Sequence, residues 1–247
     1  MAHNFQTWLD APVIELQSID STNNYAMQLI DADKAQHGMT IIAKEQTVGK
    51  GQRGNHWISI PGENLLMSMI VVPEMPIEKQ FLFSAAIAVA VSNCVTNLGI
   101  DCYIKWPNDL IINDRKTGGI LIENIIRGSL WTYAVVGIGI NILQNSFPES
   151  LPFATSLKRE TKIDFDIKQI ANAIRQSIIK TIYLPNGECF DLYRKRLYKH
   201  QQKQQFSLKG NQFNATIIDV LTTGQIVVER EVGNHINYRH GEIEWIW

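Results

Sequence analysis

Apolar and polar positions along the chain change period from segment to segment. In "STNNYAMQLIDADKAQHG" (21–38), capping-type residues precede Tyr25, Ala26, Leu29 and Ile30, which share one helical face, and Gly38 ends the pattern. "MTIIAKEQ" (39–46) predicts a strand. "NLLMSMIVV" (64–72) predicts a short strand buried on both faces. From Pro76 to Gly99 an Ala-rich run predicts a long helix lying on a sheet. "CYIKW", "DLIIN", "GGILIENIIR" and "LWTYAVVGIGINI" then follow as four strand-like segments separated by turn residues. Together these predict an α+β domain with a mixed, largely antiparallel sheet flanked by helices.

After residue 160 the pattern shifts. "DFDIKQIANAIRQSIIKTIYL" and "CFDLYRKRLYKH" read as helices, and "QQKQQ" (201–205) reads as a polar linker. Short alternating segments from Phe206 onward are broken at "TTGQ" and "EVGN", which predicts a small β-barrel. The expected division is a domain over residues 1–200 and a small β domain over 201–247.

Composition narrows the function. Net charge is −1, so no global field favours nucleic acid or an anionic membrane. The reading finds no apolar run of about 18 residues to span a bilayer and no leader-like apolar core in "MAHNFQTWLD". Cys94, Cys102 and Cys189 lack C-x-x-C spacing, which suggests reduced thiols in the cytoplasm. The His residues form no ligand set, so a structural metal site is not expected.

Two stretches carry chemistry. "GKGQRGNHW" (49–57) fits G-x-G-x-x-G, but "NHWISIPGENL" follows, and Pro61 and Gly62 deny it the helix that a dinucleotide fingerprint needs. The protein-kinase set and the Walker G-K-[ST] are also missing. What remains is a loop whose backbone amides can turn toward an anion, with Lys50 and Arg53 adding charge. "KWPNDLIINDRKTGGILIEN" (105–124) sets Lys105, Trp106, Asn108 and Asp109 around a proline turn, and a hairpin returns Lys116 beside the strand that starts at Asp109.

Four blocks in order, "STN" (21–23), "EQTVGKGQRGNHW" (45–57), "KWPNDLIINDRKTGGILIE" (105–123) and "VVGIGIN" (135–141), closely resemble biotin–protein ligases, the biotin–[acetyl-CoA-carboxylase] ligases. The resemblance runs from about Ile14 through the C-terminal β segments. It implies a class II aminoacyl-tRNA synthetase-like catalytic fold with a small SH3-like β-barrel. Regulatory members carry a winged DNA-binding domain ahead of "STN"; the short segment here resembles the ligase-only form. The implied reaction joins biotin and ATP into biotinyl-5′-AMP and pyrophosphate. A lysine of a biotin carboxyl carrier protein or domain then displaces AMP.

By the same resemblance, Ser21, Thr22, Asn23 and Gln46 take the ureido and pocket positions, with Lys50, Gly51 and Gln52 as further biotin contacts and Gly119 as a backbone contact. Gly49, Lys50, Arg53, Trp57, Asn108, Asp109, Lys116 and Asn141 take the ATP and adenylate positions. Lys116, Asp109 and Arg53 are the implied catalytic groups, Lys116 bridging carboxylate and α-phosphate. Two anions that repel must meet there, so cations at the junction matter most as charge develops. Magnesium is expected on the ATP phosphates and not in a protein-only site. The family loop reads G-R-G-R-x-G-R-x-W; Lys50 keeps charge at an arginine position without the bidentate fork, Gln52 keeps only hydrogen bonding, and Asn55 is uncharged.

Exposed sheet edges make a homodimer possible in this family. A lipoate ligase or octanoyltransferase would share the fold but would want an apolar acyl tunnel in place of "STN" and Gln46. The stretch from Tyr193 to Gly210 carries six Lys or Arg and no acid, which suggests nucleic-acid binding, steering of an acidic carrier domain, or simply a solvated face. The chain's net charge disfavours nucleic acid.

Overall fold

The chain forms a strand earlier than its apolar pattern predicts. In the computed structural model, which describes residues 8–247, β1 spans Val13–Ile19. Its sequence, "VIELQSI", buries no residue completely, and a half-wet edge strand carries little hydrophobic signal. Most of the segment read for a leader, residues 1–7, lies outside the described residues. Helix α1 (Thr22–Asp31) leads to β2 (Thr40–Gln46), which pairs with β1 in parallel. α1 stops short of Gly38. The Lys34 N–H donates to the Leu29 carbonyl at 2.8 Å, and Asp33 turns left-handed at φ 56°, closing the helix early.

Five more strands complete the sheet: β3 (Asn64–Val71), β4 (Tyr103–Lys105), β5 (Asp109–Ile112), β6 (Arg115–Arg127) and β7 (Leu130–Asn141). Their order is β1-β2-β3-β7-β6-β5-β4, and every pair except β1–β2 is antiparallel. This is the mixed, largely antiparallel sheet expected. All of β3 is buried, as its unbroken apolar run predicts. The tight β5–β6 turn sits on Asn113 and Asp114, both at positive φ, where Asn and Asp are the tolerant side chains.

Helix α2 (Gln80–Thr96) covers one face. It is flanked by α4 (Ile167–Thr181) and α5 (Asn186–Lys195), with the short α3 (Leu157–Thr161) between sheet and α4 in the chain. α1 covers part of the other face, where Ala26 and Ile30 meet Ile41, Ile70 and Val135. The segment Ile77–Thr96 is in fact long and apolar enough to cross a bilayer by length and composition. Here its apolar surface is buried between the sheet and the helices α4 and α5: Ile87, Val89, Ala90 and Val91 are completely buried.

A second sheet holds β8 (Lys203–Leu208), β9 (Asn211–Val220), β10 (Ile226–Glu231), β11 (Asn234–Tyr238) and β12 (Glu244–Trp245), in the order β11-β10-β9-β8-β12. Two expectations need correction. Lys203, Gln204 and Gln205 of the supposed linker pair with Thr216, Ala215 and Asn214, because a ladder needs backbone groups and not apolar side chains. The sheet is also open and not a closed barrel: β11 and β12 are unpaired edges, and β12 spans only two residues. The two sheets share one apolar cluster that includes Leu65, Phe83, Phe206 and Ile217. Trp106 Nε1 donates to the Gly224 carbonyl at 2.9 Å, and Arg194 ion-pairs with Asp219.

Arg175 of α4 is 7% exposed, and its guanidinium donates to the carbonyls of Trp8, Leu9, Ala11 and Gly38. It pins the entry of β1 to the start of β2. Replacing it by methionine keeps the packed stem and strands several buried carbonyls, so Arg175→Met should cost on the order of 3 kcal/mol. Urea unfolding measures this; an unchanged midpoint would show that the entry segment is not anchored there.

Candidate active site

The two-residue period of a strand divides "GIGI" in β7 between two jobs. Ile138 and Ile140 enter the main core, while Gly137 and Gly139 face the other way. Gly139 pairs across the ladder with Gly119 of β6. The three glycines leave bare backbone in the middle of one sheet face, and two side chains lie directly on it. A Cβ at Gly137 would overlap the Asn23 amide, and one at Gly139 would stand 2.5 Å from the Trp57 ring. A methyl is excluded at both positions.

Above this patch is a cavity of about 720 Å³, within the range of small-ligand sites. Ser21, Thr22, Asn23, Gln46, Lys50, Gly51, Gln52, Arg53, Trp57, Asn108, Asp109, Lys116 and Gly119 all line it. Gly49 and Asn141 do not. Gly49 packs under Trp57, where a Cβ would meet the Trp57 carbonyl at 2.5 Å. Asn141 is 4% exposed and donates to the Thr155 carbonyl at 3.0 Å.

One wall is a polar network. The Thr22 N–H and hydroxyl both donate to Gln46 Oε1, at 2.8 and 2.9 Å. The Ser68 hydroxyl lies 2.6 Å from Asn23 Oδ1, and Asn23 Nδ2 donates to Glu123 Oε2 at 2.7 Å. The other Glu123 oxygen takes Lys50 Nζ at 3.2 Å, so this loop lysine already has a carboxylate partner. Across the patch, Lys116 Nζ pairs with Asp109 at 2.7 Å beside Gly119. Asn108 is committed locally: its amide donates to the Ile120 carbonyl and fixes the turn that delivers Asp109.

The glycine loop is folded back on itself. The Gly51 N–H donates to the Asn55 carbonyl at 2.7 Å, and Trp57 N–H to Gly49 at 2.9 Å. Arg53 sits left-handed at φ 57°, which costs a long side chain about 1 kcal/mol or more. Its guanidinium lies against Gly241, in the turn between β11 and β12, where a Cβ would overlap it. Burial first, and the nearby Arg53 charge second, push the His240 imidazole below its usual range.

The sequence reading missed several members of the wall: Lys105, Lys209, His240, Glu242, Glu244 and Trp245. Lys105 stood inside a quoted block. The others arrive from the second sheet, and nothing local announces them. Ser68 did leave a signal, as a lone polar residue in the apolar run of β3. In all, five basic side chains (Lys50, Arg53, Lys105, Lys116, Lys209) face three acidic ones (Asp109, Glu242, Glu244), in a chain whose net charge is −1. The basic stretch from Tyr193 to Gly210 is not a free strip. Arg194 is held by Asp219, Lys199 by Asp114 at 2.9 Å, and Arg196 by Thr96 and the Cys102 carbonyl. Arg194 and Lys199 are thus offset by carboxylates and Arg196 is tied down by neutral acceptors, which weakens the stretch as a steering field.

Residues 15–141, half of the chain, match the Biotin/lipoate A/B protein ligase family, and the chain belongs to it. The bifunctional ligase/repressor BirA of Bacillus spizizenii is 39% identical over 153 residues, covering 59% of this chain and 46% of that protein. A biotin–[acetyl-CoA-carboxylase] ligase of Paracoccus denitrificans is 33% identical over 51% of this chain and 53% of its own. The chain thus aligns with about half the length of these curated relatives. The biotin protein ligase of Aquifex aeolicus, solved in complex with biotin and ATP, superposes with a TM-score of 0.79 at 22% identity, covering 95% of this chain and 98% of that one. The fold is therefore that of the ligases, including the second sheet.

The Arg53–His240 contact can be checked without any ligand. Arg53→Gln removes the cation but leaves the burial, so the His240 titration should move upward while staying below that of a free imidazole. Imidazole proton shifts followed by NMR across pH 4–8 (roughly the span of histidine titration) report it. An unmoved His240 curve would mean that the loop does not rest on the second sheet.

Proposed function

We propose that this member of the biotin/lipoate A/B protein ligase family is a biotin–protein ligase: it activates biotin with ATP as biotinyl-5′-AMP and transfers the biotinyl group to a lysine of a biotin carboxyl carrier domain. The observation that carries this reading is the order of groups across the glycine patch. Asn23 lies over Gly137, Trp57 over Gly139, and Lys116 with Asp109 beside Gly119. A fixed donor–acceptor network, an aromatic face and a cation thus follow one another over a distance that suits a compact polar ring, an apolar body and an anionic head.

The ureido ring of biotin fits the network end, where Ser21, Thr22, Asn23 and Gln46 offer small polar groups; Asn23 is already oriented by Ser68 and Glu123, and Gln46 by Thr22. Orientation in advance lowers the entropy lost on binding. At the other end the biotin carboxylate attacks the α-phosphate of ATP; an O–P bond forms and pyrophosphate leaves. Lys116 stands between the two anions and Asp109 holds its ammonium in place, while Arg53 and Lys50 lie in the loop above. The acceptor lysine nitrogen, once it has lost its proton, then attacks the acyl carbon. A C–N bond forms, the C–O bond to phosphate breaks, and AMP departs. No covalent enzyme intermediate is needed.

Among the described residues no group of three or more His, Cys, Asp or Glu could hold a metal. Magnesium would come with the ATP phosphates and offset part of their charge. The domain roles go with this reading: residues 1–200 as the catalytic unit, and 201–247 as a unit that supplies one wall of the cavity. Reduced thiols fit a cytoplasmic setting; Cys94, Cys102 and Cys189 are all free. Lipoate activation is the second reading, kept because the family includes lipoate ligases. ATP–pyrophosphate exchange with biotin and with lipoate, side by side, decides between them.

The central test is to incubate the chain with biotin, MgATP and a biotin carboxyl carrier domain, then weigh the carrier. A gain of one biotinyl group is expected, and no gain overturns the reading. Lys116→Ala should lower adenylate formation by about 10²–10³, the loss of a charge-assisted contact made chiefly in the transition state. It should hardly change stability, because the lysine is partly exposed. Near-normal turnover by the folded variant would show that another group bridges the two anions.

A further inference from the structure

Lys105 ends β4 and is 8% exposed, yet among the described residues its ammonium has no hydrogen bond and no ion pair. Two indoles of the C-terminal segment lie under it: the Trp247 ring centre at 4.4 Å and the Trp245 ring centre at 5.2 Å. The charged groups around it come from three strands. Asp109 of β5 attracts it but already holds Lys116 at 2.7 Å; Lys116 of β6 repels it; Glu244 of β12 attracts it weakly. His240, at the edge of this group, rests against Trp106. Desolvation dominates, and it lowers the Lys105 pKa to about 8.

Aromatic faces stabilise a cation without satisfying its N–H donors. An ammonium has three of them, and among the described residues no protein group takes those of Lys105, so they open onto the cavity. Lys105 lines the cavity, so the space its donors can reach is ligand space. It also stands with Asp109, Lys116 and the second sheet, and not with the Asn23–Gln46 network. That is the end where the ligase reading sets the nucleotide.

We propose that Lys105 is a further anion contact of this site, donating to a phosphate of the bound nucleotide while Trp245 and Trp247 hold its ammonium in position. The assignment rests on the ligase reading. It gives the second sheet a part in the chemistry, since both indoles belong to its final segment. It also ties nucleotide binding to a proton. A nearby phosphate favours the charged amine, so binding completes the protonation of Lys105 when the pH is near or above 8. The sign follows: affinity is full below the pKa of the empty site and falls as pH rises through it.

Calorimetry of MgATP binding to the full chain, in buffers of different ionisation enthalpy, tests this. Wild type should bind about tenfold more weakly at pH 9 than at pH 7, and at pH 8.5 should take up a large fraction of one proton. Lys105→Met keeps an apolar stem under the indoles; it should bind weakly at every pH, with no uptake and a flat profile. Lys105→Arg stays charged throughout, so it should bind without uptake and without the loss at high pH. Uptake that persists in either variant, or is missing in wild type that binds ATP, overturns the assignment and leaves the ligase reading standing. A folded wild type that binds no ATP at all overturns both.

Discussion

Bare backbone at the centre of a sheet is the constraint on which this site depends. Three glycines in neighbouring strands cost the sheet conformational entropy and packing, each about 0.5–1 kcal/mol relative to alanine. The isoleucines between them recover apolar burial on the opposite face. Because nothing projects from the patch, Asn23 and Trp57 can lie flat on main-chain atoms. The cavity floor is therefore made by two side chains seated directly on hydrogen-bonded backbone. Any ligand resting there meets Asn23 and Trp57, with the ladder beneath them limiting how far either can sink.

Charge is arranged around this floor against the chain's average. A near-neutral molecule gathers five basic side chains about one cavity and balances only some of them. Lys50 rests on Glu123 and Lys116 on Asp109, so neither costs full desolvation while the cavity holds only solvent. Each carboxylate also fixes where its lysine points. Partners of this kind let a site keep strong cations at modest cost and turn them toward a more highly charged ligand when one arrives.

Long apolar periods were legible in the sequence because burial writes them: β3, β7 and the alanine-rich helix all form where their patterns place them. β1 and β8 were not, since an edge strand and a polar ladder are held by backbone hydrogen bonds that any side chain permits. The site shows the same division. Thirteen positions read from the blocks line the cavity together, because each block is a local turn or strand end with its chemistry attached. Gly49 and Asn141 lie in the same blocks but point into packing, and a motif does not reveal which of its residues support the others. The wall from the second sheet had no local signal, being brought in by tertiary contacts some hundred residues apart in sequence.

The contact between Arg53 and Gly241 also has a consequence for the order in which the molecule is made. A ribosome delivers the glycine loop, the β5–β6 hairpin and the whole seven-stranded sheet well before the residues past 240. Domains generally form as they emerge, so a nascent chain can hold a finished floor and a full set of early lysines beneath an open roof. Sharing the cavity between early and late segments places its closing wall after the synthesis of the seven-stranded sheet.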